Sequence, residues 1–198
     1  MRGLQYIAAI VALAMLSVAY AGVFVYYPIN VSLSPVNPPI VFAQGSNAGQ
    51  PDLGGGGTPY TSNTIVASPG SNGASLSITL HPTYQHNYYY NISLIINNDG
   101  KAYYITFRVL TAMTLPAGSA ARLIIFNAPS GGSKVADVNL LATGDTSATA
   151  QIPAGGKWRI DIYILIPEGS TLPSSASATL QLIYSPETGV SPPSVPPP

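Results

Sequence analysis

The sequence contains no cysteine, which excludes disulfides, thiolate metal sites and thiol nucleophiles together. Charge is also scarce, with seven basic and seven acidic residues in a chain of 198. A chain this neutral has no electrostatic footprint for nucleic acid or for an anionic membrane surface. We therefore expect no nucleic-acid partner, and an exported form would have to be durable without disulfides.

Catalytic and metal-binding motifs are missing too. The only histidines, His81 and His86, lie five residues apart in HPTYQH, which predicts a turn with two surface histidines. No HExxH, P-loop, GxSxG or GxGxxG pattern is present, and GGGG at 54–57 lacks the Lys-Ser/Thr and the helix of a phosphate loop. The seven carboxylates are scattered along the chain. We expect no catalytic residue, no metal ligand and no cofactor.

The N-terminus carries an export signal. In MRGLQYIAAIVALAMLSVAYAG one positive charge precedes an uncharged run, and Ala19-Tyr20-Ala21 has the small-x-small pattern of a signal-peptidase site. Residues 1–21 are therefore predicted to be a signal peptide, cleaved between Ala21 and Gly22. The mature protein is expected outside the cell or on its surface, meeting the membrane only during export.

Two other interpretations of the same stretch stay open. The uncharged run continues through residue 27, which makes it long enough to span a bilayer as a retained anchor. Arg2-Gly3 before a long apolar segment also resembles the short leader of archaeal type IV pilins. Such a leader is cut after the glycine and leaves the helix in the filament core.

The rest of the chain predicts strand after strand. Apolar residues alternate in GKWRIDIYILIP, KAYYITFRV and NISLII, with inward rows that begin at Trp158, Tyr103 and Ile92. Gly- and Pro-rich turns separate about ten such runs, and NNDG at 97–100 indicates a hairpin. We expect an all-β protein with a single antiparallel, jelly-roll-like β-sandwich over residues 37–185. Residues 44–63 form a long loop in this interpretation, and 186–198 a Pro-rich tail.

Two kinds of surface feature stand out within these runs. Asn30-Val-Ser and Asn91-Ile-Ser are sequons on the polar side of their alternating segments, so Asn30 and Asn91 are candidate N-glycosylation sites. An ordinary polar face explains both equally well. The tyrosines Tyr84, Tyr88, Tyr89 and Tyr90 favour either a stacking surface for glycans or a partner, or simple packing between strands.

The segment YYPINVSLSPVNPPIVF, residues 26–42, has an apolar row of its own: Ile29, Val31 and Leu33. Pro28 and Pro35 bracket this row, and prolines at such positions favour a strand held away from a sheet interior. Residues 22–36 are therefore predicted to be a donor strand and linker that complete the sheet of a neighbouring copy. Pairing as the first strand of the chain's own sheet is the alternative.

In this combination the chain resembles the bundling pilins of hyperthermophilic archaea, which are in turn similar to the TasA/camelysin group of bacterial biofilm fibre proteins. The resemblance rests on YPINVSLSPVNPPIVF, the export signal and the charge-poor β-domain without cysteine. It implies a filament in which each subunit's N-terminal strand completes the next subunit, and in which neighbouring filaments associate. The camelysin name suggests a metallopeptidase, but no zinc motif supports that activity here.

Two functions of different classes follow from the sequence. One is a structural subunit of an extracellular filament, a head-to-tail homopolymer built by donor-strand complementation. The other is a monomeric, membrane-anchored adhesion or binding domain of the cell surface.

Overall fold

The computed structural model of the protein describes residues 3, 5–7, 10, 11, 27–52 and 63–187. The chain divides into two compact units, Met1–Val36 and Asn37–Pro198. The described part of the second unit, residues 37–52 and 63–187, is built entirely from strands, turns and loops.

The described residues of the second unit form ten strands. In chain order they are β1 (Ile40–Gln44), β2 (Val66–Pro69), β3 (Leu76–Thr79), β4 (Gln85–Asn97), β5 (Tyr103–Thr111), β6 (Ala120–Phe126), β7 (Lys134–Asn139), β8 (Gly144–Ile152), β9 (Lys157–Ile166) and β10 (Thr179–Ser185). Every pairing between them is antiparallel. The all-β, antiparallel prediction is confirmed.

These strands form three sheets. The first has five strands in the order β1-β4-β9-β6-β7, the second has three in the order β10-β5-β8, and the third is the β2-β3 hairpin. One hydrophobic cluster contains buried side chains from the five-stranded and the three-stranded sheet alike, such as Trp158 and Ile95 from the first and Phe107 and Ile152 from the second. The two larger sheets therefore share a core.

Strand β9 is the centre of that core. Its predicted inward row is confirmed, since the exposed fractions of its five side chains range only from 1% to 6%: Trp158, Ile160, Ile162, Ile164 and Ile166. The row predicted for β5, from Tyr103 to Val109, is buried as well. In both strands the buried apolar residues occupy every second position of the predicted row, so period 2 gives the correct face.

Strand β4 departs from its predicted face. The sequence favours Ile92, Leu94 and Ile96 as its inward row, but Ile95 is fully buried while Leu94 and Ile96 are half-buried. The pairing of β4 with β9 shifts register between Tyr89 and Ser93. Asn91 lies within this β-bulge at a positive φ of 46°. Two additional residues of β4 lie in this bulge, because Tyr89 pairs with Ile162 and Ser93 with Ile160. Odd-numbered positions therefore face the core on both sides of it, so the predicted row is correct for Ile92, which is fully buried within the bulge, and wrong for Leu94 and Ile96.

The hairpin predicted at NNDG is also wrong. Strands β4 and β5, which flank it, belong to different sheets. The turn carries the chain between these sheets, and Asn97 anchors it with side-chain bonds of 2.7, 3.2 and 2.9 Å to the carbonyls of Lys101, Ile152 and Pro153. Turn chemistry predicts a reversal of direction, but it does not determine which strands then pair.

In the first unit, the described residues between 3 and 11 are helical, and residues 27–36 form no strand. No helix in the described part of the chain is long and apolar enough to cross a bilayer. Ala21 and Gly22, the predicted cleavage position, lie outside the described residues, as do residues 53–62 and the Pro-rich tail from 188 onward.

Candidate functional site

The segment before the β-domain exposes its apolar row. Ile29, Val31 and Leu33 are 85%, 78% and 85% exposed, although each has the β-branched or leucine side chain expected in a core. Asn30 and Ser32, which lie between them, are exposed too. Alternation of this kind is the pattern of a strand with one buried face. The segment therefore has the sequence pattern of a strand, although residues 27–36 pair with no strand.

A large apolar groove lies within the β-domain. Its volume is about 1430 Å³, and its walls are two continuous stretches of chain, residues 74–82 and 172–184. The four isoleucines of the inward row of β9, from Ile160 to Ile166, also line it. Several leucines and isoleucines at the groove are only half-buried, which shows that their apolar surface is incompletely covered: Leu76, Ile78, Leu80, Leu180 and Leu182.

The groove runs along two strand edges. Among the described strands, β3 pairs only with β2, and β10 pairs only with β5. Both β3 and β10 therefore have one edge with no strand beside it. Every residue of both walls lines the groove, whereas a wall presenting only one side-chain face would contribute alternate residues. The groove thus offers side-chain pockets and unpaired backbone groups together, as a strand-accepting site requires.

The dimensions agree with a short strand. From Ile29 to Leu33 an extended segment measures about 17 Å at roughly 3.3 Å per residue. Strand β10 has seven residues and β3 has four, so either edge can pair with a segment of this length. The groove has little charge, and of the fully charged residue types only Arg108 lines it.

His81 stands where β3 leads out of the groove. Its Nδ1 lies 2.9 Å from Asp52 Oδ2, and its backbone N–H donates to the same oxygen at 2.7 Å. The Asp52 side chain is completely buried, while that of His81 is 39% exposed. Both bonds hold the end of β3 against the loop that contains Asp52. The prediction of a surface turn is therefore correct for the exposure of His81, but it does not include the buried Asp52 carboxylate beneath this residue.

A second polar cluster lies on the other side of the five-stranded sheet. Arg159 Nε donates to Asp161 Oδ1 at 2.9 Å, and both side chains are almost inaccessible to solvent. Tyr88 donates its hydroxyl to Asp161 Oδ2 at 2.6 Å, and the backbone N–H of Asn91 donates to Oδ1 at 2.7 Å. Burial, together with this bond to Asp161, raises the pKa of Tyr88 to about 12.

Aromatic rings enclose the arginine of this cluster. The Arg159 guanidinium carbon lies 4.3 Å from the centroid of the Tyr90 ring and 4.2 Å from that of Phe126. Its Nη1 donates to the carbonyl of Gly131 at 3.1 Å. A buried charge needs this many partners, because desolvating one without them costs several kcal/mol. These contacts hold the Arg159 guanidinium in one position within the sheet.

The bulge in β4 changes the position of one sequon. Asn91 is 8% exposed, and its Nδ2, the atom to which a glycan would be attached, donates to Ser46 Oγ at 3.0 Å and to the carbonyl of Pro129 at 3.4 Å. Gly45 packs so closely on Asn91 that a Cβ there would lie 2.1 Å from its carbonyl oxygen. The folded domain thus has no room for a glycan at Asn91, whereas Asn30 is exposed.

The described residues contain no group of three or more histidines and carboxylates close enough to hold a metal ion. His86 bonds to Tyr163 instead, with its Nδ1 2.6 Å from the hydroxyl oxygen.

No protein-family model matches the sequence, and no curated protein is detectably similar to it. The exposed apolar row and the groove are the features of the described residues that indicate a function.

Sequence reasoning identified the row but not the groove. The groove is made by three stretches distant in sequence, β3, β9 and the 172–184 stretch, and no local pattern connects them. The Arg159–Asp161 pair was missed because both residues occupy outward positions of an alternating strand, where solvated charges are expected. Their spacing of two residues, which puts opposite charges on the same face of an apolar strand, was the signal available.

Proposed function

We propose that this protein is the structural subunit of an extracellular filament, in which residues 28–35 of one copy occupy the groove of the next. The apolar row of Ile29, Val31 and Leu33 would enter the groove as a strand. The observation that carries the proposal is that one chain contains both a strand-like segment and a groove that could accept it. An exposed strand-like segment lacks a partner, and a groove with two unpaired strand edges lacks a strand.

The inserted strand would also complete the fold. Placed between β3 and β10, it would join the two-stranded and three-stranded sheets into one continuous sheet. We propose that this composite sheet and the five-stranded sheet form the two layers of a jelly-roll-like sandwich. A single copy supplies only part of one layer, and burial of the half-buried leucines would stabilise the complex by roughly 25 cal/mol per Å² of apolar surface.

Head-to-tail growth follows from having donor and acceptor at different places on one chain. Such a contact is heterologous, so it propagates into an open filament unless its rotation closes a ring. The filament gains stability because only the folded domain binds the strand, and this suits a protein that has no disulfide.

A complementation experiment with two variants tests the proposal. Val31→Asp places a carboxylate in the centre of the donor row, and Leu182→Asp places one in the groove, each at a cost of several kcal/mol to insertion. Neither variant should form filaments alone. Mixed together, they should form a dimer that does not grow, because the Val31→Asp groove accepts the intact strand of Leu182→Asp. Size-exclusion chromatography with light scattering measures the product.

Ser32→Asp is the matched control, since it adds the same charge between two apolar positions of the same segment and should still form filaments. A Val31→Asp chain that still polymerises would contradict the donor role. Should Leu182→Asp not fold, a free peptide of residues 22–35 replaces it. The peptide should raise the melting temperature of Val31→Asp, and a mixture that stays monomeric with no effect of peptide would show that the strand pairs within its own chain.

A further inference from the structure

The outward face of the five-stranded sheet contains a half-exposed aromatic ring with a fixed position. Tyr88 is 51% exposed, yet its hydroxyl donates to Asp161 Oδ2 on the neighbouring strand. In the strand register Tyr88 lies opposite Tyr163, so Asp161 is its diagonal neighbour. Diagonal neighbours in a sheet are about 7–8 Å apart, and a tyrosine reaches that far only by leaning over the sheet surface. Tyr88 therefore presents the face of its ring to solvent.

The ring cannot easily leave this position. Asp161, which accepts the bond from Tyr88, is fully buried and is itself held by Arg159 and by the backbone of Asn91. A solvent-exposed tyrosine usually loses rotamer freedom when it binds a ligand, and that loss weakens binding. Here the fold has already removed that freedom, so Tyr88 is organised for stacking in advance.

Polar groups flank the ring on the same face. Next to Tyr88 in register come Tyr163 on β9 and then Arg122 on β6, a row about 10 Å long at roughly 4.8 Å per strand. His86 packs against Tyr163 with ring centroids 5.8 Å apart. Because its Nδ1 bonds to the Tyr163 hydroxyl, Nε2 is the ring nitrogen left for a ligand. The row thus combines flat apolar surface with donors and acceptors.

The charges on this face are mostly paired with one another. Arg122 Nε lies 3.1 Å from Asp137 Oδ1, and Lys134 Nζ lies 2.7 Å from Asp137 Oδ2. Arg159 and Asp161 compensate each other beneath the ring. With little unbalanced charge, the face offers no strong attraction to an anionic polymer, whereas neutral hydroxyl groups can bond to its exposed side chains, such as those of Arg122 and Lys134.

We propose that this face, centred on Tyr88, binds a neutral polysaccharide. A sugar ring has one apolar C–H face and a rim of hydroxyl groups, and this distribution matches a fixed tyrosine ring bordered by His86, Tyr163 and Arg122. Binding at this face does not involve the donor segment or the groove, so it stands independently of the filament proposal. A filament would repeat the face along its length and bind polysaccharide multivalently.

The test uses the full-length protein and three neutral probes, cellohexaose, maltohexaose and mannohexaose, with a sulfated heparin hexasaccharide as the charged probe. Calorimetric titration should detect binding of at least one neutral probe in preference to the heparin fragment. Tyr88→Ala should weaken that binding by roughly tenfold, the loss expected for one stacked ring, and Tyr88→Phe should weaken it less because the ring remains. Tyr104→Ala, on the three-stranded sheet, is the matched control and should bind as the unaltered chain does.

His86→Ala provides a second variant whose binding must also fall, should Tyr88→Ala not fold. Failure of all three neutral probes to bind at about 10 mM would overturn the proposal, and so would equal binding by Tyr88→Ala. Preferential binding of the heparin fragment would overturn it as well. If Tyr88→Ala changes only how filaments associate with one another, the face is a contact between copies of this chain, and the saccharide proposal fails.

Discussion

Strand β9 and the segment around Val31 have the same sequence pattern and opposite surroundings. Both have apolar residues at every second position, but the side chains of the inward row of β9 are at most 6% exposed, whereas those of Ile29, Val31 and Leu33 are at least 78% exposed. The difference shows that alternation predicts the capacity to form a strand and says nothing of where the partner lies. For β9 the partners are β4 and β6 of the same chain. For the Val31 segment we propose another copy.

The largest expected effect compares Ile160→Asp in β9 with Val31→Asp. Ile160 is 1% exposed and lies in the shared core, so a carboxylate there should leave the domain unfolded. Val31→Asp should leave the unfolding transition of the unassembled domain within about 0.5 kcal/mol of the original, the usual range for exposed positions. Urea unfolding followed by tryptophan fluorescence measures both, because Trp158 is buried in the same strand. A large loss of stability in Val31→Asp would mean that the two segments do not differ.

The rows of β9 and β5 could be predicted because a buried apolar residue occupies every second position from Trp158 to Ile166 and from Tyr103 to Val109. The failures have local physical causes. In β4 three buried positions of the core-facing row are polar, Asn87, Ser93 and Asn97, so the alternation of apolar residues indicates the opposite face. After NNDG the chain crosses to another sheet. The side chain of Asn97 holds this crossing by donating to the carbonyls of Ile152 and Pro153, and the turn residues do not indicate these bonds. The groove could not be predicted, because it depends on the relative positions of strands that are distant in sequence.

A second, smaller effect concerns the polar row of β9, which the sequence pattern assigns to solvent. Arg159→Leu leaves Asp161 buried with one fewer donor, and breaking a buried ion pair in this way costs about 3–5 kcal/mol. Arg108→Leu on β5 is the matched control, because its Nε–Oδ1 bond of 2.7 Å to Asp145 lies nearer to solvent, where ion pairs contribute little. Chemical denaturation of both variants gives the difference. Equal losses would show that β9 is not buried on both faces.

The smallest effect lies at the edge of the same polar row, where Tyr88 meets Asp161. Burial and the hydrogen bond to Asp161 raise the pKa of Tyr88 to about 12, above its unfolded value near 10. The Tyr88 phenol loses its proton at a lower pH in the unfolded chain than in the folded chain. The stability that this phenol contributes is therefore fully present below pH 10 and declines as pH rises towards 12. Since the ring is half-exposed, solvent screening limits this decline to at most ~1 kcal/mol. Denaturation curves at pH 9, 10, 11 and 12 should show a steeper decline for the unaltered chain than for Tyr88→Phe, with Tyr104→Phe as the control for losing a phenol. If the stability of Tyr88→Phe and that of the unaltered chain decline in parallel, Asp161 does not hold the Tyr88 hydroxyl. In its exposure to solvent, the outward row of β9 would then resemble the segment around Val31 more than the inward row of β9.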